Sequence, residues 1–340
     1  MKAARLHAYH DALKLDSIDE PKIDGPLDVI VKIGAAGLCR TDLHIQEGQW
    51  ASRSEVVLPY TPGHENAGWV HEIGSGVTNV AVGDTVIVHP FISCGLCMPC
   101  RVGDDMHCLN GSFPGINRDG GFAELLKTSA RSVIKIDPLE PKDIAALADA
   151  GLTAIHAVKK SIPVLQPGTK AVVIGAGGLG HIGIQCLKAI TSAQIIAVDT
   201  SEDALKLALN CGADHAVIAD GHQAQQVRDL TSRGADAVFD FVGEDTTIAD
   251  SVAMLRPGGS YYLVGYGGTV TLPTIQLVLA EITVVGNLIG TNPDLTDLIA
   301  LAQQGKVVLH STGYPLEAAN DAIDDLRHGR IRSRAVLIPN

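Results

Sequence analysis

The chain has 340 residues, of which 46% are hydrophobic and 19% charged, so it is too long for one ordinary core and too apolar for disorder. Its formal net charge is -12 at pH 7, without long runs of one sign. This balance excludes nucleic acid and anionic membranes as expected partners, because both require a basic face. Two domains and a small-molecule ligand are expected.

Residues 1–14 lack the apolar core of a signal peptide, and no stretch approaches the roughly 18 uncharged apolar residues of a membrane span. A cytoplasmic location is expected. Four of the seven cysteines fall between Cys94 and Cys108. Because a cytosolic enzyme keeps its thiols reduced, this crowding indicates metal ligation rather than disulfides.

The first half of the chain consists of short, valine-rich segments that are interrupted by Gly and Pro. Residues 28–37, 68–77 and 83–90 alternate or run apolar for a few positions and then turn. These segments predict a β-rich domain. Helical spacing of apolar residues begins at Asp143 and continues to about residue 160.

From Lys170 onward, apolar strand segments alternate with amphipathic helical segments. Six parallel strands form a complete dinucleotide-binding fold, so the sequence predicts an α/β class with a doubly wound (Rossmann) parallel sheet. The predicted strands are residues 171–176, 194–199, 215–218, 237–242, 260–265 and 282–287.

The end of the chain, residues 315–339, predicts a helix and an apolar strand that has no partner left in this series. We therefore assign it to the first domain. The predicted catalytic domain comprises residues 1–149 and 288–340, with a metal lobe at 94–108, and the predicted dinucleotide-binding domain comprises residues 150–287.

A glycine-rich turn follows the first predicted strand of the dinucleotide-binding domain. Gly175, Gly177 and Gly180 form G-x-G-x-x-G, with Gly178 and Leu179 between them, at the mouth of a helix. The glycines let the backbone approach a pyrophosphate, and the helix N-terminus offers unpaired N–H groups. The alternative is a tight strand-to-helix turn without a ligand.

Asp199 closes the next predicted strand at the distance expected for an acid that binds the adenosine ribose. Its charge would repel a 2′-phosphate, which favours NAD over NADP. The alternative is the N-cap of a helix beginning near Glu202, a position that Thr200 or Ser201 could serve equally well.

A four-cysteine lobe has the spacing C-x2-C-x2-C-x7-C, which lets four thiolates surround one Zn²⁺ tetrahedrally. With every position occupied by protein, the metal would be structural. An iron–sulfur cluster is the main alternative, although its usual run has three residues before a fourth Cys followed by Pro; chance clustering of free thiols is another. The four residues are Cys94, Cys97, Cys100 and Cys108.

A second, dispersed group offers one thiolate, one imidazole and one carboxylate. Cys39, His64 and Asp149 are good zinc ligands that would leave a fourth position open for water or an alcohol oxygen. Spacing alone does not assemble this trio. Taken singly, the three residues could be a buried small hydrophobe, a turn histidine and a helix cap.

The sequence resembles the zinc-dependent medium-chain alcohol dehydrogenases over residues 1–340, and it is similar to their bacterial secondary-alcohol and carbonyl-reducing branch. The resemblance implies a GroES-like catalytic domain beside the Rossmann domain, one catalytic and one structural zinc per chain, and NAD as cofactor. The motifs that carry it are GLCRTDLH, GHENAG, the four-cysteine lobe, DAGLTAIHA, VVIGAGGLG and RSRAVLIP.

Within this resemblance, Cys39 and His64 bind the catalytic zinc and Glu65 lies close to the metal. Asp149 stands where many members have the third ligand, a cysteine. A carboxylate is also a competent zinc ligand. A second departure is Ala204, where relatives often have Lys or Arg near the ribose-binding acid.

The resemblance also implies a proton path and cofactor contacts. Thr41 receives the alcohol proton, which passes through a cofactor ribose hydroxyl to His44. Arg40 and Arg334 contact the pyrophosphate, and Asp42 orients a ligand histidine. For Arg334 and Asp42 the alternative is a surface ion pair. A homo-oligomer is implied, with a tetramer favoured and a dimer possible.

Several apolar residues fall in segments that could line a substrate pocket: Trp50, Pro90, Phe91 and Ile116. Such a wall favours a hydrophobic alcohol, primary or secondary, and its aldehyde or ketone over a polyol. One alternative is a zinc-free quinone or enoyl reductase, against which the metal ligands count. Another is a sensor that binds NAD and zinc without turnover.

Overall fold

The computed structural model describes residues 1–54, 56–331 and 333–339, and internal contacts divide the chain into two units. The first unit contains Met1–Ala150, Gly290–Gln304 and Val308–Asn340, and the second contains Gly151–Ile289 and Gly305–Val307. Arg332, the first residue of the closing sequence motif, lies outside the described residues.

The valine-rich segments of the first unit form a mainly antiparallel sheet in the order β14-β15-β3-β4-β5-β7, with β6 also pairing with β3. A separate ribbon joins β1 and β2. Strands are numbered along the chain. In this unit they are β1 Lys2–Arg5, β2 Lys14–Ser17, β3 Asp28–Leu38, β4 Glu65–Ile73, β5 Thr85–Val88, β6 Leu125–Ser129, β7 Val133–Lys135, β14 Ser311–Pro315 and β15 Arg334–Ile338.

Short helices surround this sheet, and its core is formed by inward-facing apolar residues such as Val31, Val86 and Phe122. Single 3₁₀ turns connect several elements, among them Asp105–His107 and Ala145–Ala148. The helices of this unit are α1 Arg40–Gln46, α2 Ala51–Ser54, α3 Met98–Arg101, α4 Pro141–Ile144, α11 Asn292–Gln303 and α12 Ala319–Arg327.

The register of three neighbouring strands brings distant parts of the sequence to one edge of the sheet. In the antiparallel pair of β3 and β4, Gly37 lies opposite Glu65. In the antiparallel pair of β3 and β15, Leu38 lies opposite Ala335. The residues just beyond the end of β3 therefore lie beside the starts of β4 and β15.

The second unit contains a fully parallel sheet in the order β10-β9-β8-β11-β12-β13. This order confirms the predicted doubly wound sheet. Its strands are β8 Lys170–Ile174, β9 Gln194–Asp199, β10 His215–Ile218, β11 Ala235–Asp240, β12 Leu255–Leu263 and β13 Thr283–Gly286. Its helices are α5 Ala150–Ser161, α6 Gly180–Ile190, α7 Glu202–Asn210, α8 Gln223–Thr231, α9 Asp245–Met254 and α10 Thr274–Ala280.

Several predicted strand bounds are shifted by one or two residues, and two predicted elements differ more. The helical spacing from Asp143 is interrupted, because the chain forms a 3₁₀ turn over Ala145–Ala148 and Asp149 has φ -125°. A new helix, α5, then starts at Ala150. Strand β12 begins at Leu255, earlier than the predicted start at 260, and its pairing with β11 is irregular there. None of the helices in the described residues has the length and apolar character needed to cross a membrane.

Candidate active site and metal centres

The N-terminus of α1 places Cys39 and Asp42 at the edge of the sheet where β3 ends. Cys39 is the N-cap residue of α1 and is 8% exposed. Asp42 turns back toward it, and its Oδ2 accepts the Cys39 N–H at 2.9 Å. An acidic residue in the first turn also complements the positive end of the helix dipole. The cap thus holds the Cys39 backbone at the start of α1.

His64 is almost completely buried between two carboxylates. Its Nδ1 lies 3.5 Å from Asp42 Oδ1, and its Nε2 lies 3.3 Å from Asp149 Oδ2. Burial opposes a charged imidazole, but Asp42 and Asp149 raise the pKa of His64 well above its ordinary value. Nδ1 faces the buried Asp42, so Nε2 is the nitrogen available to a metal beside Asp149.

Glu65 has both carboxylate oxygens engaged. Oε1 accepts the Ala150 N–H at 3.0 Å, and Oε2 pairs with the Arg334 guanidinium. Burial opposes charge on Arg334, yet the attraction of Glu65 raises the pKa of Arg334, so the two groups form a buried ion pair. A Cβ at Gly37 would overlap the Glu65 side chain, which explains glycine at that strand position.

The two residues for which a surface ion pair was the alternative are both buried, Asp42 at 4% exposed and Arg334 at 5%. That alternative is wrong, because their charges are paired inside the first unit. Arg334 faces Glu65, and its predicted contact with a cofactor pyrophosphate stays a prediction.

The ligand atoms of the dispersed group fit one metal ion. In Cys39, His64, Glu65 and Asp149, one atom of each lies within 4.8 Å of the others. Tetrahedral zinc with ligand distances near 2.1 Å has ligand atoms about 3.4 Å apart, which matches the 3.3 Å between His64 and Asp149. Because Glu65 is held by Ala150 and Arg334, the other three residues are the better ligand candidates.

The four-cysteine lobe also fits a single ion. The Sγ atom of Cys97 lies 3.4 Å from the Sγ atom of Cys100 and 3.8 Å from that of Cys108. The Sγ atoms of Cys94 and Cys100 lie 4.0 Å apart. These separations exceed a disulfide bond of about 2.05 Å and match the roughly 3.8 Å between sulfurs around tetrahedral zinc. A cluster of several irons would not fit between sulfurs this close.

Backbone N–H groups of the lobe point at the sulfurs, as expected for thiolates. The N–H groups of Leu96 and Cys97, each 3.4 Å from Cys94 Sγ, lower the pKa of that thiol to about 6. The N–H of Cys94 lies 3.2 Å from Cys108 Sγ. Burial and the neighbouring sulfurs raise the pKa of Cys100 to about 12, so four thiolates require a cation between them.

A buried carboxylate that the sequence analysis did not single out joins this lobe to other parts of the first unit. Asp105 is 1% exposed and accepts hydrogen bonds from Arg131, from Ser93 at 3.3 Å and from Asn292 at 3.1 Å. Burial works against ionisation, but Arg131 and Asn292 lower the pKa of Asp105. An aspartate between two cysteine ligands gives no spacing signal, so only the fold reveals its partners.

The glycine-rich turn of the second unit has the predicted position between β8 and α6. Gly175 has φ +83°, a conformation that favours glycine. A Cβ at Gly177 would meet nothing within 4 Å, so the turn faces open space into which a phosphate could fit. Gly178, Leu179 and Gly180 complete the turn, and α6 begins at Gly180.

Asp199 is the last residue of β9, and its side chain is hydrogen-bonded to the glycine-rich turn. Its Oδ2 accepts the Ala176 N–H at 2.7 Å, and its Oδ1 accepts the Ser201 N–H at 2.8 Å. The N-cap of α7 is Ser201, whose hydroxyl accepts the Ala204 N–H at 3.3 Å. The alternative role of Asp199 as that N-cap is therefore wrong.

Three further predicted residues lie on α1. Arg40 is exposed, and Thr41 and His44 are half-buried one helical turn apart on the same face. Partial burial and the positive charge of Arg40 lower the pKa of His44. The imidazole is therefore neutral at pH 7 and able to accept a proton.

Comparison with known proteins identifies the family. Residues 25–138 match the alcohol dehydrogenase GroES-like domain, and residues 178–304 match the zinc-binding dehydrogenase domain. The chain belongs to the zinc-dependent medium-chain alcohol dehydrogenase family. The predicted fold class, a Rossmann domain with a GroES-like domain, is confirmed.

Individual relatives span the whole chain. It is 38% identical to the NAD-dependent alcohol dehydrogenase of Sulfolobus acidocaldarius, with 99% of both chains covered. The crystal structure of the alcohol dehydrogenase from the hyperthermophilic archaeon Aeropyrum pernix has 45% identity, a TM-score of 0.96 and 100% coverage of both chains. The D-arabinose 1-dehydrogenase (NADP(+)) of Saccharolobus solfataricus is 33% identical, over 99% of this chain and 97% of its own. These relatives differ in cofactor and substrate, so this chain's own residues determine both.

Replacing Cys108 with serine tests the structural metal centre. We expect Cys108→Ser to lower bound zinc from about two to about one ion per chain and to reduce the free energy of unfolding by several kcal/mol, because a closed site loses a thiolate. Metal analysis and urea unfolding measure both. Cys211→Ser, outside both clusters, is the matched control. Iron with acid-labile sulfide in the wild-type chain would contradict the assignment.

Asp149 distinguishes a metal ligand from a helix cap. If it binds zinc, Asp149→Ala should lose about one of two zinc ions and most of the activity, whereas Asp149→Cys should keep the metal because a thiolate is also a good ligand. A helix cap would cost only about 1 kcal/mol with full metal occupancy. Two bound ions and near-normal turnover in Asp149→Ala would move the third ligand elsewhere, with Glu65 the first candidate.

Proposed function

We propose that this chain is a zinc-dependent, NAD-linked alcohol dehydrogenase that interconverts a hydrophobic alcohol, primary or secondary, and its aldehyde or ketone. The observation that carries the proposal is the cluster of Cys39, His64 and Asp149, whose ligand atoms lie close enough to supply three of the four ligands of a tetrahedral zinc ion in a chain of this family. When bound, zinc supplies a Lewis acid for the alcohol oxygen and NAD supplies a hydride acceptor.

The residues around the cluster hold the ligands in place. Asp42 joins the Cys39 backbone to the His64 ring, so a shift of α1 would move both ligands. The ion pair between Glu65 of β4 and Arg334 of β15 links these two strands at the same edge of the sheet, and the two charges neutralise each other. Removing one partner of a buried pair costs about 3–5 kcal/mol, so the site is strongly held.

We propose that Thr41 and His44 carry the proton. As the Thr41 hydroxyl takes up the alcohol proton, it gives up its own proton. Neutral His44, one turn further along α1, accepts a proton in turn and releases one to solvent from its partly exposed ring. Arg40, at the exposed start of α1, and Arg334 are proposed to contact the cofactor pyrophosphate.

We propose that Gly175, Gly177 and Gly180 hold the pyrophosphate of NAD and that Asp199 binds the adenosine ribose. Support comes from the open space at Gly177 and from the two N–H groups that orient the Asp199 carboxylate. Its negative charge disfavours a 2′-phosphate, and Ala204 adds no basic group to attract one.

We also propose a homo-oligomer, either a tetramer or a dimer. Between Val264 and Thr291 the only charged residue is Glu281. Within this stretch β13 is an edge strand, and α10 exposes Ile275, Val278 and Leu279 by 63–77%. Such an apolar edge is typical of an interface between identical chains. A cytoplasmic location is proposed because the four-cysteine site needs reduced thiols.

The function is tested with a panel of primary alcohols, secondary alcohols, aldehydes, ketones and polyols, each with NAD(H) and with NADP(H), alongside metal analysis. We expect NAD-dependent oxidation of apolar alcohols by a chain with two bound zinc ions. Zinc and NAD binding without turnover of any alcohol would favour the sensor alternative. Preference for sugars with NADP would place the chain with its arabinose-oxidising relative.

Cofactor choice depends on the charge of Asp199. Asp199→Ala should reduce the preference for NAD over NADP roughly 10- to 100-fold in kcat/KM, because repulsion of the 2′-phosphate is lost. Asp199→Asn removes the same charge but keeps the size of the side chain. Asp203→Ala, on the exposed face of α7, is the control. A wild-type preference for NADP would show that the role assigned to this acid is wrong.

The proton path predicts a change in pH dependence. The pKa of His44 lies below its usual value, so His44 accepts protons above that pKa and loses this ability as the pH falls through it. His44→Gln should lower kcat roughly 10- to 100-fold near pH 6–7 and approach wild type at high pH, where hydroxide accepts the proton. His71→Gln on β4 is the control, and NADH affinity should change little. An unchanged profile would remove His44 from the path.

The oligomer proposal is tested by sedimentation velocity. Val278→Glu places a charge on the exposed face of α10 and should shift the wild-type oligomer toward smaller species without loss of bound zinc. Val82→Glu, at another exposed apolar residue, is the control. A wild-type chain that sediments as a monomer would overturn the proposal.

A further inference from the structure

One aromatic ring lies directly beside the buried candidate ligand His64, and a second ring packs against the first. The Phe113 ring meets the His64 ring edge-on, with centroids 5.8 Å apart and planes at 90°. Phe91 packs on Phe113 in the same way, at 6.1 Å and 87°. Both phenylalanines are half-buried. Phe113 therefore places apolar surface against one side of the imidazole, Phe91 extends that surface, and neither ring is fully buried.

The position of Phe91 is fixed by its backbone and by the space around its ring. Its N–H donates to His89 Nδ1 at 3.2 Å, and its carbonyl accepts the Ser132 hydroxyl at 3.3 Å. A Cβ at Gly111 would overlap the Phe91 ring, so glycine at this position leaves room for it. These hydrogen bonds hold the Phe91 backbone in place, and the space at Gly111 admits its ring.

His89 is completely buried and connects Phe91 to a distant part of the first unit. Its Nε2 lies 3.0 Å from the Gly290 carbonyl oxygen. A carbonyl only accepts, so Nε2 carries the proton, and in a neutral ring Nδ1 is then the acceptor for the Phe91 N–H. Burial lowers the pKa of His89, which keeps the ring neutral.

We propose that His89 is a positioning residue, which holds Phe91 and Phe113 as an apolar wall beside His64, and that this wall makes the enzyme selective for alcohols with an aryl or branched apolar group on the carbinol carbon. The inference rests on the proposed alcohol dehydrogenase function. An aryl group can pack edge-to-face on these rings. A polyol hydroxyl placed against them would lose water without gaining a partner.

The other three predicted pocket residues are buried or packed on the core. Ile116 is 6% exposed and belongs to the core of the first unit, Trp50 packs against that core, and Pro90 is buried. Phe113 was not among the sequence candidates, because its segment has no motif.

The first experiment compares two secondary alcohols of different size with the zinc-loaded full chain and NAD. Phe113→Ala and Phe91→Ala should lower kcat/KM for 1-phenylethanol by roughly 10-fold or more, mainly through KM, and for propan-2-ol by less than about 3-fold. Phe113→Leu keeps apolar volume without the ring and guards against misfolding. Trp69→Ala, at an aromatic residue that is 38% exposed, is the control.

The second experiment tests the positioning role. His89→Leu should give the same selective loss for 1-phenylethanol, and His89→Gln should partly restore it, because the Gln amide can donate to Gly290 as Nε2 does. His71→Leu is the exposed control. A fall of equal size for both alcohols, or normal kinetics in His89→Leu, would overturn the proposal.

Direct measurements separate this wall from a merely structural role. Zinc content should stay at wild-type level in all variants, and calorimetry without NAD should show weaker binding of 1-phenylethanol to Phe113→Ala than to wild type. Loss of zinc from Phe113→Ala and Phe113→Leu would mean that the ring only supports His64, which overturns the proposal. A wild-type chain that oxidises no alcohol would instead overturn the proposed function.

Discussion

The candidate catalytic cluster of Cys39, His64 and Asp149 depends on one strand register. Because Gly37 of β3 lies opposite Glu65 of β4, the residue that follows β3 and the residue that precedes β4 lie at one edge of the sheet. These residues are Cys39 and His64. The pairing of β3 with β15 brings Arg334 to the same edge. A slip of one residue would turn every side chain of the strand to the other face and would separate the ligands.

This edge concentrates buried charge, and Asp42, Glu65 and Arg334 each have a specific partner. Asp42 is placed between the Cys39 backbone and His64, and Glu65 lies between Ala150 and Arg334. Unpaired buried charges are costly, so these pairs fix one arrangement of the ligands. Asp149 can then face His64 Nε2 because the chain leaves its helical path at this residue.

The sequence predicted best what is local along the chain. The cysteine spacing and the glycine-rich turn each lie within a short segment, so their geometry follows from the spacing. The trio at 39, 64 and 149 required a family resemblance, because contacts between distant residues depend on strand register. Asp105, His89 and Phe113 were missed because a single buried acid, histidine or aromatic residue has no characteristic spacing. Ser201 rather than Asp199 caps α7, a choice between neighbours that composition could not decide.

The two metal centres are held by different means, and this difference fits their proposed roles. In the lobe, nearby backbone N–H groups point at the sulfurs, so the ligands are oriented by their own segment. At the catalytic cluster, side chains from distant segments orient the ligands, as Asp42 does for His64. Long-range support can hold three ligands while leaving one side open, and Phe113 packs edge-on against one of these ligands, His64. A closed site needs only local order, but a site that exchanges substrate needs a rigid frame built from the whole domain.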